Sequence, residues 1–301
     1  MSLDPAQLLN WRIEDVVQHY DERDAMFYAL SLGIGEQAAD RSHLRFVYES
    51  GLEVLPSFAC VLADPGPWLA DPRLGLNWAN MLHAEQRLTL HRSLAGAALV
   101  RSRSRVMLVE DRGQQRGARV VTRRELSEAD SGAPVATLEM TSILRGDGGF
   151  MAGPFPGSRA TVSTPTQASV TVEHRVPSQA ALLFRLNGDM NPLHADPGAA
   201  MSAGYPQPIL HGMATFGIAC FAVLLTAGLP SAALRTIEAR FTAPVYPGET
   251  LRVELDERAE TFDMFAAERG VKVLSRGRAS FNCEIAPTFN SGRHKRAGHR
   301  R

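Results

Sequence analysis

The sequence has few cysteines, and they lie far apart. Cys60, Cys220 and Cys283 are the three cysteines, and no two of them form a CxxC pair. Zinc sites and disulfide frameworks need characteristic cysteine spacings, so the sequence predicts neither, and it indicates no other metal centre. A chain without disulfides is typical of a reducing compartment, and we expect a cytoplasmic protein.

Net charge and a targeting segment are also lacking. Lys and Arg together number 32, as do Asp and Glu, so the formal net charge is zero. Binding to nucleic acid favours a basic surplus that neutralises phosphates, and the balance therefore argues against nucleic acid as the main partner. The N-terminus has early acidic residues and no basic start followed by an apolar stretch, so we expect no signal peptide.

One segment lacks charged residues over a length that raises the question of a membrane span. Residues 212–234 contain no Asp, Glu, Lys or Arg, and about 20 apolar residues can cross a bilayer. Gly, Ala, Thr, Pro and Ser dilute this segment, and no basic cluster flanks it. We therefore expect no membrane span, but a helix surrounded by the protein's own sheet.

The two halves of the chain share a pattern. Residues 23–35 and 179–191 each contain an apolar, helix-like stretch with an aromatic residue and a leucine. Residues 84–99 and 237–253 share Glu-x-Arg, an apolar residue, Thr and a later Gly. Because β-rich segments follow in each half, the sequence predicts a duplicated α+β unit, with an antiparallel sheet wrapped around a helix in each repeat.

The pattern also gives domain boundaries. We expect an N-terminal repeat over residues 1–147 and a C-terminal repeat over residues 170–286. Residues 148–169 between them are rich in Gly, Pro, Ser and Thr, which is typical of a linker. Residues 287–301 are basic and lack apolar anchors, so we expect a disordered tail.

Residues suited to chemistry are concentrated in the segment LNGDMNPLHAD, residues 186–196. Asp189, Asn191 and His194 lie within six positions, and Pro192 resists a continuous helix, so a turn can direct the carboxylate and the imidazole toward one point. Asn191 offers a donor and an acceptor that can help to position water. A carboxylate–imidazole pair of this kind can move protons near neutral pH.

His211 and Gly212 come directly before the uncharged segment. Gly212 is expected to begin the helix, where the first N–H groups have no partner within the helix and carry the positive end of its dipole. Such an N–H can stabilise negative charge that develops on a carbonyl oxygen. For His211 two interpretations stay open, namely a hydrogen bond to the loop and a place in the pocket lining.

The first half lacks these groups at equivalent positions. Aligning the halves on Tyr28 and Phe184 places Gly33 opposite Asp189 and Ala38 opposite the loop histidine. The alignment therefore assigns catalysis to the second half.

Other polar residues are better explained by structure than by chemistry. Glu85 and Glu238 belong to the Glu-x-Arg of both halves, which favours a scaffold role. For His83 and His91 of the first half we also expect a structural role.

The catalytic segment resembles the signature of a known family. Its Gly-Asp-x-Asn-Pro-Leu-His core, together with ILHGM and ARFTAPVYPGETL, is similar to the MaoC-like, type 2 (R-specific) enoyl-CoA hydratases with two hotdog repeats. That resemblance implies a double hotdog fold, with the catalytic loop and the long central helix in the second repeat. It also implies that Asp189 and His194 are the catalytic pair, that Asn191 places the water and that the Gly212 N–H is the oxyanion donor.

The resemblance further implies the reaction. The expected activity is reversible syn addition of water to a trans-2-enoyl-CoA, giving an (R)-3-hydroxyacyl-CoA, without a cofactor other than the CoA of the substrate. A hotdog thioesterase is an alternative, but such enzymes often carry an acid or base on the central helix, and no Asp or Glu occurs between Gly212 and Ile237. The other alternative, a non-catalytic acyl-CoA-binding module, would be expected to lack Asp189 or His194.

Three expectations concern details. Asn187 stands where the family usually has a small residue such as Ser or Thr, which puts the packing of the loop in question. The first repeat has no catalytic loop, so its helix need not fill the space, and we expect room for bulky acyl chains. The two repeats form a pseudo-dimer, and the sequence is compatible both with a single chain and with a homodimer of the whole chain.

Overall fold

The computed structural model describes residues 3–36, 40–78, 81–150 and 168–282. The expected linker lies mostly outside these residues. The expected tail and Ala38 lie wholly outside them.

Ten antiparallel strands form one continuous sheet in the described residues. In chain order they are β1 (Val16–Tyr20), β2 (Met81–Leu90), β3 (Ala98–Asp111), β4 (Ala118–Glu128), β5 (Pro134–Leu144), β6 (Val170–Arg175), β7 (Leu234–Phe241), β8 (Thr250–Leu255), β9 (Thr261–Ala266) and β10 (Val271–Phe281). Across the sheet they are ordered β1-β3-β4-β5-β2-β7-β10-β9-β8-β6. Each half contributes five strands in equivalent order, and the halves meet where β2 pairs with β7.

The junction of β2 and β7 has an approximate twofold axis. Glu85 lies opposite Arg240, and Arg87 lies opposite Glu238, with 3.6 Å between Arg87 Nη1 and Glu238 Oε2. The Glu-x-Arg of one half thus faces that of the other. An ion pair at an exposed site contributes little free energy, so the junction depends mainly on strand pairing. The scaffold role predicted for Glu85 and Glu238 is confirmed.

Six α-helices accompany the sheet in the described residues. They are α1 (Pro5–Leu9), α2 (Glu22–Ser31), α3 (Arg41–Leu44), α4 (Ala180–Phe184), α5 (Pro197–Ser202) and α6 (Gly212–Ala227). Every residue from 214 to 224 in α6 is buried, because the helix is apolar on all sides and the sheet and loops enclose it. Among the described residues, no helix has the length and apolar character that crossing a bilayer requires.

The first repeat has a much shorter element at the position of α6. Pro56–Cys60 forms a five-residue 3-10 helix, all of it buried, and it packs against α6. Pro65 and Pro67 follow within a few residues, and proline cannot continue a helix because it lacks an N–H and clashes with the preceding turn. The long central helix expected in the second repeat is α6, and its counterpart in the first repeat is this short 3-10 helix.

Helix α2 of the first repeat packs closely against α6. A Cβ at Gly217 would lie 2.7 Å from Tyr28 Oη and 2.8 Å from a methyl group of Leu32, so only glycine allows this approach. The Tyr28 ring also contacts Phe184, with ring centroids 5.8 Å apart. The two residues aligned in the sequence therefore meet, and the loop after Phe184 is supported by the first repeat.

Candidate active site

The loop that carries the sequence motif is built from two short 3-10 turns, Arg185–Asn187 and Pro192–His194. Asn191 begins the second turn, and its Oδ1 accepts a hydrogen bond from the Leu193 N–H at 3.0 Å. The Asn191 N–H in turn donates to Asp189 Oδ1 at 3.1 Å. Short polar side chains therefore shape the loop through local hydrogen bonds to the backbone.

Asn187 ties this loop to the first repeat. Its Nδ2 donates to Ser31 Oγ at 3.1 Å and to the Phe184 carbonyl oxygen at 3.0 Å, and Ser31 is buried on α2. A Ser or Thr hydroxyl has one hydrogen to donate, whereas the amide has two. The departure from the family pattern therefore adds a hydrogen bond between repeats and does not loosen the loop.

His194 is buried and has a fixed tautomer. Its Nδ1 lies 2.8 Å from the Ile209 carbonyl oxygen. A carbonyl can only accept, so Nδ1 carries the proton and Nε2 of the neutral ring is an acceptor. Burial lowers the pKa of His194 below its ordinary 6.5, while the Ile209 hydrogen bond and the Asp189 charge oppose this shift. The ring is therefore neutral at pH 7 and offers a basic nitrogen.

His211 lies between the loop and the start of α6. Its ring stacks on that of His194, with centroids 3.7 Å apart and planes inclined by 26°. Its Nε2 lies 3.1 Å from the Asp189 carbonyl oxygen and donates to it. Burial is the largest of the effects that lower the pKa of His211 to about 3. The structure thus provides the hydrogen bond to the loop that the sequence left open.

Gly212 is the first residue of α6 and follows His211 directly. Its N–H belongs to the first turn, whose donors have no carbonyl partner within the helix. The Phe241 ring lies beside Gly212, at 3.4 Å from the place that a Cβ would occupy. The N-terminus of α6 is therefore one residue away from the ring that touches both His194 and the Asp189 backbone.

The carboxylate and the two imidazoles also have the donor types of a metal site. The nearest ligand atoms of Asp189, His194 and His211 all lie within 4.8 Å of one another. The rings stack nearly parallel, so their nitrogen lone pairs, which lie in the ring planes, do not converge on one ion at the roughly 2.1 Å that zinc requires. The arrangement suits proton transfer better than metal binding.

His83 of the first repeat lies near the candidate site, although the sequence indicated only a structural role for it. His83 on β2 contacts the Phe241 ring, with centroids 4.7 Å apart, and Phe241 lies beside Gly212. Burial lowers the pKa of His83 to about 4, and the Asp189 charge is one of the smaller effects that raise it. The feature of the sequence that could have revealed His83 is its position just before the Glu-x-Arg motif on β2, the strand that pairs with the second repeat. His91, by contrast, is exposed at the other end of β2.

The equivalent place in the first repeat cannot support the same chemistry. Gly33 has φ +86, and a Cβ there would lie 2.7 Å from Pro177 Cδ and 3.2 Å from His174 Nε2, so no aspartate fits. Pro56 begins the 3-10 helix of the first repeat, as Gly212 begins α6, and proline has no N–H to donate. The described residues thus place one complete site in the second repeat.

Two family models match the chain. Residues 18–146 match the MFE-2 hydratase 2 N-terminal domain, and residues 158–274 match the MaoC like domain. Together they cover both repeats.

Named relatives align over most of the chain. The peroxisomal enoyl-CoA hydratase 2 of Arabidopsis thaliana is 35% identical over 266 residues, which cover 82% of this chain and 85% of that protein. The 3-hydroxyacyl-thioester dehydratase Y of Mycobacterium tuberculosis is 35% identical over 259 residues, covering 83% and 86%.

Solved structures have the same fold. A MaoC-like dehydratase from Phytophthora capsici superposes with a TM-score of 0.80 at 26% identity, covering 95% of this chain and 100% of that one. A Mycobacterium tuberculosis protein described as a double hotdog superposes with a TM-score of 0.54 at 16% identity, covering 93% and 96%. This second likeness concerns the fold alone, and it agrees with the double hotdog expected from the sequence.

Proposed function

The chain belongs to the MaoC-like, enoyl-CoA hydratase 2 family, and we propose that Asp189 and His194 add water to the double bond of a trans-2-enoyl-CoA. It is an enoyl-CoA hydratase, a hydro-lyase whose product is the (R)-3-hydroxyacyl-CoA and whose reverse reaction is dehydration. The observation that carries the assignment of the site is the buried, neutral His194, whose Nδ1 is held by the Ile209 carbonyl. Ligand atoms of Asp189, His194 and His211 lie within 4.8 Å of one another, and His211 directly precedes the start of α6.

The two residues act on the same water molecule. His194 Nε2 accepts a proton from water as the water oxygen bonds to C3, and the electron pair of the double bond moves toward the thioester oxygen. The Asp189 carboxylate stabilises the imidazolium that forms, because opposite charges close together favour ionisation. The Asp189–His194 pair then returns a proton to C2 on the same face of the double bond. One water molecule is thus added syn, and both side chains regain their starting protonation states.

The Gly212 N–H stabilises the intermediate charge. As the electron pair leaves the double bond, the thioester oxygen becomes an enolate oxygen, and a donor at a helix N-terminus favours that charge. One such donor is worth about 3 kcal/mol of transition-state stabilisation.

Asn191 supports the reaction differently. Its Oδ1 is committed to the Leu193 N–H, so its Nδ2 is the group that holds the water oxygen.

The short 3-10 helix of the first repeat bears on the choice of substrate. Pro56–Cys60 is a much shorter element than α6, its counterpart in the second repeat, and this difference supports the expectation of room for an acyl chain. We expect hydration rates to hold up from short to long enoyl-CoA chains. A panel of chain lengths tests this, and a sharp optimum at short chains would contradict it. No cofactor is required beyond the CoA of the substrate.

A single assay separates the proposed reaction from its alternatives. Mixing the protein with a trans-2-enoyl-CoA should remove the absorbance of the conjugated thioester without releasing free thiol, and chiral analysis should give the (R)-3-hydroxyacyl product. Release of thiol would favour a thioesterase. Loss of neither absorbance nor thioester would leave an acyl-CoA-binding module and would refute the proposal.

Location and assembly are proposals of the same kind. The widely spaced cysteines fit a reducing compartment such as the cytoplasm. The Arabidopsis thaliana relative is named peroxisomal, and microscopy of the tagged protein decides between these compartments. A homodimer would have twice the 32.8 kDa mass of the chain, which light scattering measures directly.

A further inference from the structure

His211 contacts each of the three parts of the site. Its Nε2 donates to the Asp189 carbonyl oxygen, its ring covers a face of His194, and its backbone is the N-cap of α6, next to Gly212. We infer that His211 is a positioning residue that holds the acid–base loop in place against the oxyanion donor and shields His194 from water. This inference rests on the proposed hydratase function.

The hydrogen bond is a second direct link between the loop and the segment at the start of α6, beside the bond from His194 Nδ1 to the Ile209 carbonyl. The Asp189 side chain is exposed, and its Oδ1 accepts from Asn191 within the same loop. The bond from His211 to the Asp189 carbonyl, in contrast, joins the loop to α6. Losing it frees the loop carboxylate to move relative to the Gly212 N–H, and small displacements of a catalytic group reduce turnover strongly.

The stacked ring acts on His194 in a second way. It occupies one face of the His194 imidazole that water would otherwise reach, and it contributes to the burial that lowers the pKa of His194. A charged ring in that place would oppose the imidazolium that forms during turnover, and burial prevents this by keeping His211 neutral.

Several other titratable or charged groups act on the two rings. The Asp189 charge raises the pKa of His194, and the Arg185 charge lowers that of His211. His83, on β2 across the site, has a pKa of about 4 and is neutral over the working range. A substitution at position 211 leaves all of these groups in the chain.

Two variants separate the two roles. His211→Phe keeps a ring over His194 but removes the hydrogen bond, so kcat should fall by about tenfold, the value of one hydrogen bond, with KM changed less than about threefold. The acid limb of kcat/KM should stay in place. His211→Gln keeps a donor but removes the ring, so kcat should exceed that of His211→Phe. Its acid limb should move to higher pH, because water now reaches His194 and its pKa rises.

The control and a second measurement keep the test decisive. His91→Phe changes a histidine that lies outside the site and should alter neither parameter. NMR titration of the imidazole nitrogens of His194, without substrate, should give a higher pKa in His211→Gln than in the wild type. If His211→Gln does not fold, His211→Asn offers the same comparison with a shorter amide.

The outcomes distinguish the inference from the function on which it rests. A wild type that hydrates enoyl-CoA, with both variants matching its kcat and its acid limb, would overturn the inference and keep the function. A wild type without hydratase activity would refute the function. In that case an unchanged His194 pKa in His211→Gln would overturn the shielding role as well, and a raised value would support it.

Discussion

Replacing Gly212 with proline removes a proposed oxyanion donor while preserving the helix. Proline is well tolerated at the first helical position, because the N–H it lacks has no partner within the helix. The preceding residue, His211, has φ −58 and ψ 138, an extended conformation that readily precedes proline. Leu55, which precedes Pro56 in the first repeat, has nearly the same conformation, φ −65 and ψ 125. We therefore expect Gly212→Pro to fold with a thermal midpoint close to that of the wild type.

The expected loss of activity follows from the missing hydrogen bond. An oxyanion donor of this kind contributes about 2.7–4 kcal/mol, which corresponds to a fall of roughly 100-fold to 1,000-fold in kcat. Crowding is a separate effect, because any Cβ at position 212 lies 3.4 Å from the Phe241 ring. Gly212→Ala is the matched control, since it adds the same Cβ and retains the N–H. The ratio of the two rates therefore measures the hydrogen bond.

The assay is the initial rate of loss of the enoyl-thioester absorbance, measured over a range of substrate concentrations so that kcat and KM are separated. The kcat of Gly212→Pro should be lower than that of Gly212→Ala by roughly 100-fold to 1,000-fold, with a smaller difference in KM. Circular dichroism and thermal unfolding report whether both variants are folded. Equal kcat values in two folded variants would refute the assignment of the Gly212 N–H.

Three further predictions concern the acid–base pair and its surroundings. Asp189→Asn and His194→Gln should each lower kcat by roughly 100-fold or more, and near-normal rates in both folded variants would remove the assignment. The rate constant kcat/KM should decline only below pH 6.5, since burial lowers the pKa of the base His194; a pH–rate profile whose acid limb lies above 6.5 would contradict this. The buried histidines His83 and His211, with pKa values of about 4 and 3, bind protons less readily than in the unfolded chain. Stability should therefore be complete above pH 6.5 and fall below it, by about 1.4 kcal/mol per histidine for each pH unit until the folded pKa is reached. Urea midpoints at pH 7.5 and 5.5 measure this loss of stability, and equal midpoints would contradict the burial of these histidines in their neutral form.

The sequence was sufficient to predict those features of the fold and the site that depend on residues close together in the chain. The turn at Pro192 and the start of α6 at Gly212 depend on neighbours within a few residues, so the spacing of the motif and the chemistry of proline and glycine were sufficient to predict them. The repeat was visible for a similar reason, because both halves retain the same Glu-x-Arg on the strands that pair at the junction.

Contacts between the halves were not predictable in the same way. His83 reaches the site only because β2 pairs with β7 in one register, and a long-range register is not encoded in local periodicity. The bond from Asn187 to Ser31 joins residues 156 positions apart, so the residue looked like a departure from a pattern when it is a link between repeats. The long central helix was correctly expected in the second repeat, because the uncharged segment occurs only there, whereas the 3-10 form of its counterpart Pro56–Cys60 was not predicted.

The covalent connection between the two halves has an evolutionary consequence. When two separate copies of one polypeptide pair through their edge strands, every substitution appears in both, and the pair can dissociate on dilution. In a single chain each position changes alone, and the high effective concentration of one half for the other preserves their contact at any dilution. A single chain can therefore hold Gly33 and Pro56 in the first half while the second half keeps Asp189 and Gly212 at the corresponding positions.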